Sequence, residues 1–161
     1  MRIIKLSKFD IANGLGIGLV IWCSGCEHKC PGCHNPETWD FNQGDHPDHY
    51  MAEILEFLDN PHIKRVTFSG GDPLDPKNQW GLTRLAKIVK GTHPDKKIWV
   101  YTGDLWENVA SLPVMEYIDV LVDGPFIESQ KDISLAWCGS RNQRVIDVQE
   151  SRRLGEIVLV P

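Results

Sequence analysis

Apolar and polar positions along this chain follow two alternating periods. Ile17 to Trp22 is an apolar run that reads as a buried strand. Met51, Ile54, Leu55 and Leu58 then recur at i, i+3, i+4 and i+7, the spacing of one helix face. Arg65 to Ser69 reads as a strand stopped by Gly70 and Gly71. Leu82, Leu85, Ala86 and Val89 repeat the helical spacing, with Gly91 as its expected stop. Lys97 to Thr102 is a strand ended by Gly103, with Asp104 placed to cap a short helix after it. Ile118 to Val122 is a further strand, ended by Asp123, Gly124 and Pro125. Arg144 to Val148 and Ile157 to Val160 read as two more near the end.

Helices of this length between apolar strands imply βαβ units, and hence an α/β fold with a mostly parallel sheet. No repeat, linker or low-complexity tract divides the chain, so residues 1–161 are expected to form one domain. Ligands of such folds bind at the carboxyl ends of the strands. Each chemically suggestive motif here comes just after a predicted strand: the cysteines after Trp22, Gly70-Gly71-Asp72 after Ser69, Thr102-Gly103 after Tyr101, and Asp123-Gly124 after Val122. The sheet is expected to bring all four to one rim.

Composition narrows the setting. Lys plus Arg is 17 and Asp plus Glu is 22, a formal charge of −5 without a long basic run. That balance argues against nucleic acid and against anionic membranes as partners. No segment reaches the about 18 uninterrupted apolar residues needed to span a bilayer. Met1 to Asp10 alternates charged and apolar residues and lacks the apolar stretch of a signal peptide. The expected location is the cytoplasm, where thiols stay reduced. Of the five cysteines, four lie between Cys23 and Cys33. An odd, clustered set in that setting points to metal or redox chemistry instead of disulfides.

Thiolates are soft ligands that suit iron–sulfur clusters or zinc. Cys26, Cys30 and Cys33 lie on a short glycine-containing stretch, and three thiolates there can hold three irons of a cubane, leaving the fourth open to a small molecule. Adding Cys23 gives the other reading, a closed zinc site, although zinc ribbons usually separate their paired knuckles by more than this spacing allows. Cys23 is expected to be a small buried residue at a strand end, His28 has no assigned chemistry, and neither does Cys138. The two glycines at 70 and 71 let backbone approach a ligand closely, and their carbonyls with the Asp72 carboxylate suit an ammonium group. Asp72 followed by Pro73 also fits a helical cap.

The cysteine spacing matches the radical S-adenosylmethionine superfamily. More narrowly, the sequence resembles the family of anaerobic ribonucleoside-triphosphate reductase activators. The resemblance is carried by Asp10 to Gly16, by Cys26 to Asn35 with His28 and Gly32 in place, and by Ser69 to Leu74. Ile98 to Gly103, Val122 to Gly124 and Gly139 to Val145 extend it. Leu15 and Cys138 depart from it, where the family tends to carry proline and arginine.

The resemblance implies an incomplete (βα) barrel and a 4Fe-4S cluster on Cys26, Cys30 and Cys33. It places S-adenosylmethionine against Gly32, Cys33 and His34, with Gly70, Gly71 and Asp72 on its other side. It implies reductive cleavage of that molecule to methionine and a 5′-deoxyadenosyl radical, a flavodoxin-like one-electron donor, and a reductase partner whose glycine becomes the radical. An activase of another glycyl-radical enzyme is the nearest alternative, but the chain has too few cysteines for the extra cluster insert many of those carry. A non-enzymatic zinc module is the more distant one.

Overall fold

A computed structural model describes residues 1–161. Six strands form one sheet in the order of the chain: β1 (Ile3–Asp10), β2 (Gly18–Cys23), β3 (Arg65–Gly70), β4 (Lys97–Tyr101), β5 (Val120–Asp123) and β6 (Arg144–Asp147). The pairs from β2 to β5 are parallel, and the two outer pairs are antiparallel. The helices are α1 (Met51–Leu58), α2 (Gln79–Thr92), α3 (Trp106–Val109) and α4 (Val148–Leu154). The expected α/β architecture with a mostly parallel sheet is present.

The inner strands are buried on both sides because both sides are covered. Leu19, Ile21, Val66, Phe68, Ile98, Val100 and Leu121 point to the helices and belong to a core cluster of 24 buried residues. Each such Leu or Ile stabilises the fold by about 2 kcal/mol through burial alone. The opposite face carries Trp99, Val120 and Val122, packed by Tyr101, Trp137 and Cys138. On that face lies a fully buried arginine, Arg65. Its guanidinium donates to the Asp10 carboxylate and carbonyl and to Thr67 Oγ1, while Nε has no partner. Residues 10–14 are thereby laid against the sheet. Gly14, at φ +133°, fits because a Cβ there would stand 2.8 Å from Arg65 and 2.9 Å from Trp99.

Several local expectations are corrected. The alternation in Met1 to Asp10 is that of an edge strand, β1, paired to β2 from Ile3↔Cys23 to Asp10↔Gly18. Gly91 does not stop α2, which runs through Thr92 and closes with His93 N donating to Val89 O. Asp104 does not cap α3. The first free amide there, Trp106 N, donates to Asp123 Oδ2 at 2.7 Å, so the cap comes from the next strand. The strand expected at Ile118 begins at Val120, with Ile118 itself in the core. Val148 opens α4, capped by Asp147 through Glu150 N. Ile157 to Val160 makes only a single bridge, Leu159 to Ile146.

Candidate active site

Register puts the carboxyl ends of the parallel strands side by side: Cys23 pairs with Gly70, and Tyr101 pairs with Val122. The turn leaving each strand therefore meets the turns of its neighbours. The segment after β2 is tied down by Gly25 N donating to Thr38 O and Cys26 N to Trp39 O. Gly71 N donates to Cys23 O, and Asp72 N to Gly25 O. A Cβ on Gly71 would stand 2.5 Å from the Gly25 carbonyl oxygen, so this contact requires glycine. Asn78 Nδ2 donates to the carbonyls of Ser24, Gly25 and Asp72, stitching the two turns together.

Cys26, Cys30 and Cys33 are all free, partly buried thiols that line one cavity of about 120 Å3. Gly70, Gly71 and Asp72 line it from β3, Thr102 and Gly103 from β4, and Gly124 from β5. The four motifs expected at one rim do meet there. Cys23 is fully buried at the end of β2. Burial, with the Asp72 charge adding to it, pushes the Cys23 thiol far above its ordinary range. Burial likewise raises Cys26, to about 11.

Three partly buried thiols on one loop around one cavity make a soft donor set, which suits an iron–sulfur cluster.

A second cavity of about 320 Å3 adjoins the first and shares Cys33, Ser69, Tyr101, Phe126 and Gln143 with it. His34 lines this second cavity, its ring tilted against Phe126 at 4.9 Å. Gly32 lies at the loop edge with φ +73°, and a Cβ there would meet the Glu128 carboxylate at 2.8 Å. Trp137, in the left-handed region at φ 62°, stacks edge-on against Trp99 below. Cys138 also lines this cavity, its Sγ 3.8 Å from Gln143 O.

Three features of the site are not foreseen from the sequence. His28 Nε2 is 2.9 Å from Asp72 Oδ2, and that hydrogen bond raises the imidazole pKa above its usual value. Asp72 is a hub: Oδ1 accepts from Leu74 N, and Oδ2 also accepts from Thr102 Oγ1 and Gly103 N. The Gly139 to Gln143 stretch wraps the rim, with Asn142 Nδ2 donating to Pro125 O and Gln143 Nε2 to Gly124 O. The polar run Gly-Ser-Arg-Asn-Gln was the available signal for the last; for His28 and Asp72 only proximity in space reveals the pairing.

A family model described as a 4Fe-4S single cluster domain matches residues 12–146. Anaerobic ribonucleoside-triphosphate reductase-activating proteins are close in sequence along nearly their full length. That of Escherichia coli (strain K12) is 43% identical over 141 residues, 84% of this chain and 92% of the relative. That of Pasteurella multocida is 41% identical over 150 residues, covering 89% and 95%. That of Enterobacteria phage T4 is 36% identical over 142 residues, covering 88% and 90%. With its cysteine rim, a cluster-domain model over most of its length and relatives of this closeness, the chain belongs to the family of anaerobic ribonucleoside-triphosphate reductase-activating proteins.

Proposed function

We propose that this protein activates an anaerobic ribonucleoside-triphosphate reductase by generating its glycyl radical. The observation that carries the reading is the meeting of three thiols and a Gly-Gly turn around one cavity that shares a wall with a larger one. Cys26, Cys30 and Cys33 hold a 4Fe-4S cluster. S-adenosylmethionine lies beside them, with Gly32, Cys33 and His34 on one side and Gly70, Gly71 and Asp72 on the other. Held there, a 4Fe-4S cluster would supply the single electron for reductive cleavage of S-adenosylmethionine, the chemistry from which the reductase's glycyl radical would derive.

The chain's own residues supply placement. Gly70 and Gly71 offer backbone carbonyls to the amino end of the ligand, since no side chain stands in the way. Asp72, with both oxygens engaged, holds that turn in shape. Tyr101, Phe126 and Trp137 wall the larger cavity with apolar surface and keep water from a reactive radical.

The sheet serves as the wall of an incomplete (βα) barrel, and the side between β1 and β6 admits the glycine-bearing segment of the partner. The electron comes from a flavodoxin-like or other one-electron donor in the cytoplasm; no helix is long and apolar enough to cross a membrane.

The test is anaerobic reconstitution with iron and sulfide, then reductant, S-adenosylmethionine and the reductase. 5′-deoxyadenosine together with a doublet glycyl signal in electron paramagnetic resonance is expected. Tightly bound zinc with neither product would sink the reading. A signal on a different glycyl-radical enzyme but not on the reductase would move the activity to that partner.

A further inference from the structure

The cysteine loop is attached to the body of the protein at few points. Between Cys26 and Cys33 its side chains reach outward contacts through the exposed pair Glu27 with Lys77, 2.8 Å apart, and through His28. The two contacts differ in kind. An exposed ion pair adds little. His28 instead ends on Asp72, whose side chain is only 2% exposed.

That carboxylate is shared by three segments. His28 Nε2 reaches Oδ2 from the loop after β2 at 2.9 Å. Thr102 Oγ1 and Gly103 N donate to the same oxygen from the end of β4, each at 3.0 Å. Asp72 itself stands at the end of the Gly-Gly turn after β3. The ring of His28 lies directly over Gly103, where a Cβ would come within 2.5 Å of Cδ2. Gly103 is therefore the space in which the imidazole sits.

His28, Asp72 and Asp104 also bring their donor atoms within 4.8 Å of one another, the arrangement of a cation site. The imidazole stands at direct hydrogen-bond distance, 2.9 Å, from an Asp72 oxygen that also accepts from a hydroxyl and an amide, so these groups are already joined to one another. The group is a hydrogen-bonded joint.

We propose that His28 is a positioning residue: through Asp72 it locks the cysteine loop to the Gly70-Gly71 turn and sets the span between the cluster and the place where the amino end of S-adenosylmethionine sits. This rests on the function proposed above. Neighbours that orient metal ligands commonly matter this much without touching the metal.

The experiment compares wild type, His28→Ala and His28→Gln, the last retaining a donor at the reach of Nε2. In the cluster-free protein, amide hydrogen exchange across residues 26–33 is measured by mass spectrometry. In the reconstituted protein, iron and sulfide are counted, and the change in the reduced cluster's electron paramagnetic resonance spectrum is titrated with S-adenosylmethionine.

The expected result is faster loop exchange in His28→Ala and a half-saturating S-adenosylmethionine concentration raised by about tenfold at unchanged iron content, with His28→Gln recovering most of both. Unchanged exchange, unchanged half-saturation, or a glutamine variant no better than alanine would each overturn the inference. A wild-type spectrum that does not respond to S-adenosylmethionine overturns it together with the proposed function; a responding wild type with an equally responding His28→Ala overturns the inference alone.

Discussion

Asp10 Oδ1 stands 2.6 Å from Arg65 Nη2, joining the end of the edge strand to a guanidinium with no solvent exposure. Burial by itself would raise the Asp10 carboxyl, but the bonds from Arg65 and Asn13 outweigh it and hold the group below its ordinary value. A carboxyl whose folded pKa is depressed contributes stability above its unfolded value of about 3.9 and loses it as pH falls through the folded pKa. Asp10→Asn is expected to cost about 2 kcal/mol at pH 7. Urea midpoints at pH 7 and at progressively lower pH check this: wild type must lose more stability on acidification than the variant. Equal losses rule out the pairing as the cause.

Asp123 is fully buried and answers to Arg144, which donates to it from Nε at 3.0 Å and from Nη2, while also meeting Glu107. Removing the arginine leaves a buried carboxylate without its counter-charge. Arg144→Met is expected to lose about 3 to 5 kcal/mol. Asp123→Asn combined with Arg144→Met should recover part of that loss in a thermal-unfolding series, and a double variant no better than the single one would argue against the charge explanation.

The four clustered cysteines separate cleanly by experiment. Cys30→Ala is expected to bind less iron and sulfide and to yield no 5′-deoxyadenosine. Cys23→Ala keeps the cluster and activity and loses about 1 kcal/mol of stability from a fully buried site. Metal content measured on both variants decides it, and loss of iron on Cys23→Ala would mean that four thiolates are in use.

Gly71→Ala puts a methyl group 2.5 Å from a backbone oxygen that cannot swing aside. The turn must move away from Gly25, carrying the cavity wall with it. An expected cost of about 1 to 3 kcal/mol accompanies the crowding, with a raised KM for S-adenosylmethionine. Gly91→Ala serves as the control, since nothing lies within 4 Å of that position, and it should be neutral or slightly stabilising. A Gly71→Ala protein as stable and as tight-binding as its parent would show that the turn has slack.

Legibility in the sequence followed the range of the interactions. The buried strands and the rim motifs are local in their signals: apolar runs stopped by glycine, then cysteines or a Gly-Gly turn. Elements decided by distant partners were hidden. Ile3 to Asp10 carries charges at Lys5 and Lys8, as an edge strand does, and only its pairing with β2 identifies it. Helix α4 is nearly all polar, with only Val148 and Ser151 buried. The cap of α3 was sought in its neighbour Asp104 and comes from Asp123 across the sheet. The role of His28 was invisible for the same reason, because Asp72 lies on another strand's turn.

None of the residues from 24 to 33 belongs to the 24-residue core beneath the helices. Small metal-folded domains collapse when their ion is stripped, since the ion is most of what holds them. Here the durable part and the perishable part are separate pieces of the same chain. The sheet and its helices are therefore expected to stay folded when the cysteine loop carries no iron, so that loading and unloading the centre need not unfold the chain.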